Sequence, residues 1–155
     1  MLFGSRSRES TPLEGVDVVL ADLDGVVYAG AGALPHAIES LLAAGASRAL
    51  GYITNNAART DASVAAHLNE LGLSVAPDEV VTSPQAGVRL LASLVEPGST
   101  ILVVGGEGLV VELEKAGFVV TRSADDAPAA VIQGFAPEVN WKQLAEAAFA
   151  LKLPI

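Results

Sequence analysis

The chain has 155 residues, no cysteine and a formal charge of -9. The missing cysteines exclude disulfides and thiolate metal sites, and an acidic chain with no basic face lacks the electrostatic footprint of a nucleic-acid binder. Hydrophobic residues make up 51% and charged residues 17%, enough to bury a sizeable core rich in small aliphatic side chains.

The N-terminal MLFGSRSREST carries arginines with no apolar stretch behind them, so it does not read as an export signal. Thr11 and Glu14 match a capping-box spacing, but a strand follows rather than a helix. The segment VDVVLAD, 16–22, is β-branched and reads as a buried strand with a polar end. The apolar run around 16–34 is broken by Asp17, Asp22 and Asp24, which argues against a membrane span. Pro35 is expected to open a helix that Gly45 closes. ALGYITNN, 49–56, is a second strand running into a polar loop. Apolar residues at 64, 65, 68 and 71 give helical spacing over 60–72, with Thr60 as N-cap and Gly72 as stop. EVVTS is a short strand. Ser83 is expected to cap the following helix, with Pro84 at its first position. Then come a strand at STILVVGG, a helix at GEGLVVELEKAG, strands at FVVT and 129–134, and a last helix at NWKQLAEAAFALK. Such alternation implies a mostly parallel sheet wrapped by helices.

Ligands in parallel sheets collect outside the carboxyl ends of the strands. Asp22 and Asp24 stand at one such end, and Thr54, Asn55 and Asn56 at another. Two carboxylates one residue apart on extended backbone project to the same side. Hydrolysis of a phosphate monoester needs a nucleophile, a proton donor and charge neutralisation, and the pair can divide those tasks. A Mg²⁺ ion would offset their repulsion. Gly25 permits the turn behind them. Thr54 and nearby N–H groups suit phosphoryl oxygens.

VVLADLDGVVY resembles the first motif of the haloacid dehalogenase superfamily of phosphohydrolases, and GYITNNAART resembles its second. The likeness is to the branch with a large α/β cap after the second motif, which includes NagD-like, p-nitrophenylphosphatase, phosphoglycolate and glycerol-phosphate phosphatases. It continues through VVTSPQAGVRLL, ILVVGGEGLVVELEKAGF and AAVIQGFAPEVNWKQLAEAAFA. The resemblance implies an α/β fold with a Rossmann-like core over residues 1–82 and part of an inserted cap over 83–155. It implies Asp22 as nucleophile, through an aspartyl-phosphate, and Asp24 as general acid/base. Both would hold Mg²⁺, Asp24 through its backbone carbonyl. Thr54, Asn55 and Gly25 would bind phosphate or position substrate, and Gly25–Gly30 would form a mobile loop. The implied substrate is a small phosphorylated metabolite, in a cytoplasmic enzyme with no membrane or nucleic-acid partner.

The family also uses a later lysine and a further acidic motif. Lys115, Lys142 and Lys152 lack the context for the first, and Asp125 and Asp126 for the second. The chain therefore reads as the N-terminal portion of a hydrolase, weakly active or inactive alone and prone to self-association through an incomplete core. A non-catalytic phosphate- or partner-binding fragment is the alternative. A phosphorelay receiver domain is a third reading, disfavoured because the second strand ends in Thr-Asn-Asn. Gly105-Gly106-Glu107-Gly108 fits a tight strand–helix turn better than a phosphate cradle. His36 and His67 read as surface or packing positions, and Trp141 as a packing residue of the cap.

Overall fold

The computed structural model describes residues 12–152; the arginine-bearing N-terminus and Thr11 lie outside them. Strand β1 (Val18–Asp22) leads into a hairpin of β2 (Tyr28–Ala29) and β3 (Gly32–Ala33). Helix α1 (Ala37–Gly45), β4 (Ala49–Thr54), α2 (Asp61–Glu70) and β5 (Val80–Thr82) follow. Then come α3 (Ser83–Leu91), β6 (Thr100–Val104), α4 (Glu107–Lys115), β7 (Val119–Thr121), β8 (Ala130–Gln133) and α5 (Trp141–Ala150).

The strands form two three-stranded sheets, ordered β1-β4-β5 and β7-β6-β8, besides the hairpin. Every pairing within the two larger sheets is parallel. In the first, alternate residues of β1, β4 and β5 face α1 and α2. There Ala21, Tyr52 and Val80 pack with Leu41, Val64, Ala65 and Leu68. In the second, Ile101 and Val103 meet Val88, Leu91, Leu109 and Leu113 of α3 and α4. Leu102 and Val104 point the other way, onto Ala147 and Ala150 of α5. Among the described residues no helix is long and apolar enough to cross a membrane.

Local signals account for most helix ends. The Thr60 hydroxyl accepts the Ser63 N–H at 3.1 Å, capping α2, and Gly72 ends it at φ +104. At α3 the expected cap is displaced by one residue. Thr82, not Ser83, is the N-cap: its hydroxyl accepts from Gln85 N–H at 3.5 Å, and the Gln85 side-chain Oε1 accepts from Thr82 N–H at 2.9 Å. β5 stays paired through Thr82, in register with Thr54, so the chain leaves the extended state only there. Pro84 is thus second in the helix rather than first. Pro35 likewise stands just before its helix, whose N-cap is His36 at φ +64, and Gly45 is the last helical residue.

The glycine run is a joint between the two sheets. Gly108 N–H donates to the Ala58 carbonyl at 3.1 Å. A Cβ on Gly108 would stand 2.6 Å from the Arg59 carbonyl oxygen, and one on Gly106 3.1 Å from that of Ala58. Glycine at these places lets two backbones touch. The Gly108 N–H therefore serves a protein carbonyl, which matches the turn reading.

Candidate active site at the strand ends

Asp22 is the last residue of β1, in register with Ile53. Asp22 and Asp24 are exposed, while Leu23 between them is fully buried. The strand alternation thus anchors the segment by its apolar residue and presents both carboxylates outward. The Leu23 carbonyl accepts N–H groups from Val27 at 2.9 Å and Tyr28 at 3.2 Å. Gly25 takes φ +80 and donates its N–H to the Tyr28 carbonyl at 2.8 Å. That left-handed conformation disfavours any residue with a Cβ, so Gly25 shapes the turn that holds Asp24. The stretch after Gly25 is partly hairpin, with Val27 and Tyr28 buried.

Thr54 ends β4 and is buried. Its hydroxyl donates to Asp24 Oδ2 at 3.4 Å and accepts the Asn56 N–H at 3.1 Å. Asn56 Oδ1 accepts the Ala58 N–H at 2.9 Å, a local turn that redirects the chain. Ser83 Oγ donates to the carbonyls of Asn55 and Asn56 at 3.1 and 3.2 Å. Asp22, Asp24, Gly25, Thr54 and Asn55 thereby share the carboxyl end of two adjacent parallel strands.

Tyr28 and Arg59 escaped the sequence reading, and Ser83 reads in it only as a helix cap. Ser83 pins the loop from a distant position, which no local pattern announces. Tyr28 packs edge-on against His67, ring centroids 4.8 Å apart. Burial, then the Asp24 carboxylate, raises the Tyr28 phenol above its ordinary value, and the Arg59 guanidinium pulls it back. His67 is thus a packing residue, as expected, and His36 is exposed.

The other singled-out residues lie elsewhere. Lys115 pairs with Glu112 at 2.7 Å and Asp61 at 3.1 Å; hydrogen bonding to Glu112 is the main reason that its pKa is raised. Lys142 and Lys152 are exposed on and after α5. Asp125 and Asp126 lie in a short 3-10 turn after β7, where the Asp126 carboxylate accepts the Thr121 hydroxyl. Trp141 does not pack as expected: it is 82% exposed, because α5 turns its alanines rather than its large side chains onto β6. Among the described residues no three His, Cys, Asp or Glu gather as a metal cluster. Asp22 and Asp24 are oxygen donors of the kind Mg²⁺ takes, so the pair fits that ion in chemistry while supplying only part of a shell.

The fold is a parallel α/β arrangement with an acidic pair and a buried threonine at the carboxyl end of one sheet. The chain belongs to the haloacid dehalogenase-like hydrolase family, whose model matches residues 19–119. It is 43% identical over 136 residues to a D-glycerol 3-phosphate phosphatase of Mycobacterium tuberculosis, covering 88% of this chain and 38% of the relative. It is 40% identical over 109 residues to a glycerol-3-phosphate phosphatase of Gallus gallus, covering 68% of this chain and 34% of the relative. The crystal structure of the Mycobacterium tuberculosis glycerol phosphate phosphatase in complex with magnesium matches with a TM-score of 0.79 at 40% identity, over 86% of this chain and 40% of that one. The chain thus spans about two-fifths or less of these relatives.

Proposed function

We propose that these residues belong to a Mg²⁺-dependent phosphatase of a small phosphate monoester, with glycerol phosphate as the leading substrate class. The observation that carries this reading is the Thr54 hydroxyl, 3.4 Å from Asp24 and beside the end of the Asp22 strand. Residues 1–82 are assigned to the catalytic core and 83–155 to part of the cap. Asp22 attacks phosphorus and becomes an aspartyl-phosphate. Asp24 donates its proton to the departing alkoxide oxygen, then takes one from the water that hydrolyses the acyl-phosphate. Thr54 and the N–H groups of the 55–58 loop hold phosphoryl oxygens, and Asn55 positions the substrate. Mg²⁺, held by the Asp22 carboxylate and the Asp24 carbonyl, would supply charge neutralisation and orientation. The product is a free alcohol and inorganic phosphate.

These 155 residues alone are expected to turn over slowly, because Asp22 and Asp24 repel the phosphate while Lys115 is paired with Asp61 and Glu112 and Lys142 and Lys152 stand on and after α5. The test joins the chain to the remaining portion of its Mycobacterium tuberculosis relative and follows phosphate release from glycerol 3-phosphate. Mg²⁺-dependent release is expected. Asp22→Asn should lower it on the order of 10³-fold or more, because an amide is a poor nucleophile. Asp24→Asn should cripple turnover while leaving a metal carbonyl ligand in place. Near-normal release by Asp22→Asn would remove the nucleophile assignment. No release by any form would favour the phosphate-binding alternative.

A further inference from the structure

The candidate phosphate loop, 55–60, is pinned by residues that come later in the chain. Ser83 of α3 holds the Asn55 and Asn56 carbonyls, and Gly108 of α4 holds that of Ala58. The Ala58–Arg59 peptide is trans, so the Arg59 N–H points away from α4. Where the loop enters α2, a polar cluster takes over. Asp61 Oδ2 accepts from Lys115 Nζ of α4 at 3.1 Å and from Gln85 Nε2 of α3 at 3.1 Å. Asp61 Oδ1 accepts the Ala62 N–H at 2.7 Å.

Charge makes this cluster more than a surface contact. Lys115 Nζ also binds Glu112 Oε1 at 2.7 Å. The Asp61 and Glu112 side chains are only 14% and 11% exposed, so one ammonium neutralises two largely buried carboxylates. Removing that cation would leave like charges side by side where water screens them poorly. Asp61 is the first residue of α2, next to the Thr60 cap. Its repulsion from Glu112 would push the start of α2, and the loop before it, away from α4. Gln85 ties the cluster to the other end of the loop. Its Oε1 accepts the Thr82 N–H at 2.9 Å, and Thr82 is in register with Thr54.

We propose that Lys115 is a positioning residue for phosphate binding, which through Asp61 holds the 55–60 loop in the shape that receives phosphoryl oxygens. Lys115 touches no substrate and acts from α4, across the joint between the two sheets. The proposal rests on the phosphatase reading of the loop and deepens it, making the hold on phosphate depend on the second sheet.

The test is a titration of the 155-residue chain with inorganic phosphate at fixed Mg²⁺, followed by the backbone amide resonances of residues 54–61. Saturable shifts are expected in the wild-type chain. Lys115→Met should weaken binding on the order of fivefold. Lys115→Arg, which keeps the charge, should bind within about twofold of wild type. Asp61→Asn added to Lys115→Met should recover part of the loss, because it removes the repulsion; two merely structural losses would add. Lys142→Met, on the exposed side of α5, should change nothing. Hydrogen exchange of β6 should stay slow in every variant. Equal affinity in Lys115→Met and wild type would overturn the proposal while leaving the phosphatase reading intact. So would a Lys115→Arg variant as weak as Lys115→Met, or lost protection of β6 in Lys115→Met. No saturable shift in the wild-type chain would instead remove the phosphate reading of the loop, and the proposal with it.

Discussion

The two parallel sheets bury their central strands to different extents. In β6, Ile101, Leu102, Val103 and Val104 are at most 1% exposed, because α3 and α4 cover one face and α5 the other. Among the described residues, only one face of β1 and β4 is covered. Val18, Leu20 and Ile53 stand 53%, 64% and 39% exposed on the face away from α1 and α2, and Val81 of β5 is 52% exposed. Parallel sheets are ordinarily covered on both sides, and β1 also lies at the sheet edge. The region that carries the candidate chemistry is therefore the less protected one. The region without it has the fuller core.

The largest effect should separate the two cores. Leu113→Ala empties a fully buried site beneath β6 and should cost about 3 kcal/mol. Leu20→Ala, on the open face, should change stability by about 0.5 kcal/mol or less. Urea titration of both variants checks this, and equal losses would mean that the first sheet is covered after all.

Gly108→Ala probes the joint. Its Cβ would meet a backbone carbonyl at 2.6 Å, so a cost of about 2 kcal/mol is expected. Hydrogen exchange at 54–60 should rise with it, because the Gly108–Ala58 hydrogen bond ties α4 to that loop. Unchanged exchange there would show that the two regions are independent.

The smallest effect is alkaline. The chain has two tyrosines, Tyr28 and Tyr52, and both lie in the first core. Burial leads in raising both phenols above their ordinary value of 10.0. Below that pH the phenols are neutral folded or unfolded. Above it the unfolded chain releases protons that the folded chain keeps, so stability falls. Lys115, also raised, loses its contribution in the same direction above about pH 10.5. Exchange protection of β1 and β4 should therefore weaken before that of β6, and Tyr28→Phe should reduce the difference.

The strand-end positions of Asp22, Asp24 and Thr54 were legible because these residues sit in short contiguous runs, Asp22–Gly25 and Thr54–Asn56, each at the end of a β-rich stretch. The regular elements were legible through period and caps. What escaped depended on distant partners. Thr82 and Ser83 are adjacent hydroxyls, and the pairing of Thr82 with Thr54 decides which one caps. The β2–β3 hairpin has two residues a side, too short for any period. Trp141 reads as a packing residue until α5 is seen to present its alanines inward.

Peptide mass spectrometry after acid quenching most directly tests the assignment of Asp22 to attack on phosphorus. The chain, extended to the length of its relatives, would be mixed with Mg²⁺ and glycerol 3-phosphate and quenched during turnover. A phosphoryl adduct on the peptide containing Asp22 is expected, lost in Asp22→Asn and longer-lived in Asp24→Asn, where the base for its hydrolysis is gone. Turnover with the adduct on another residue, or undiminished in Asp22→Asn, would contradict the assignment.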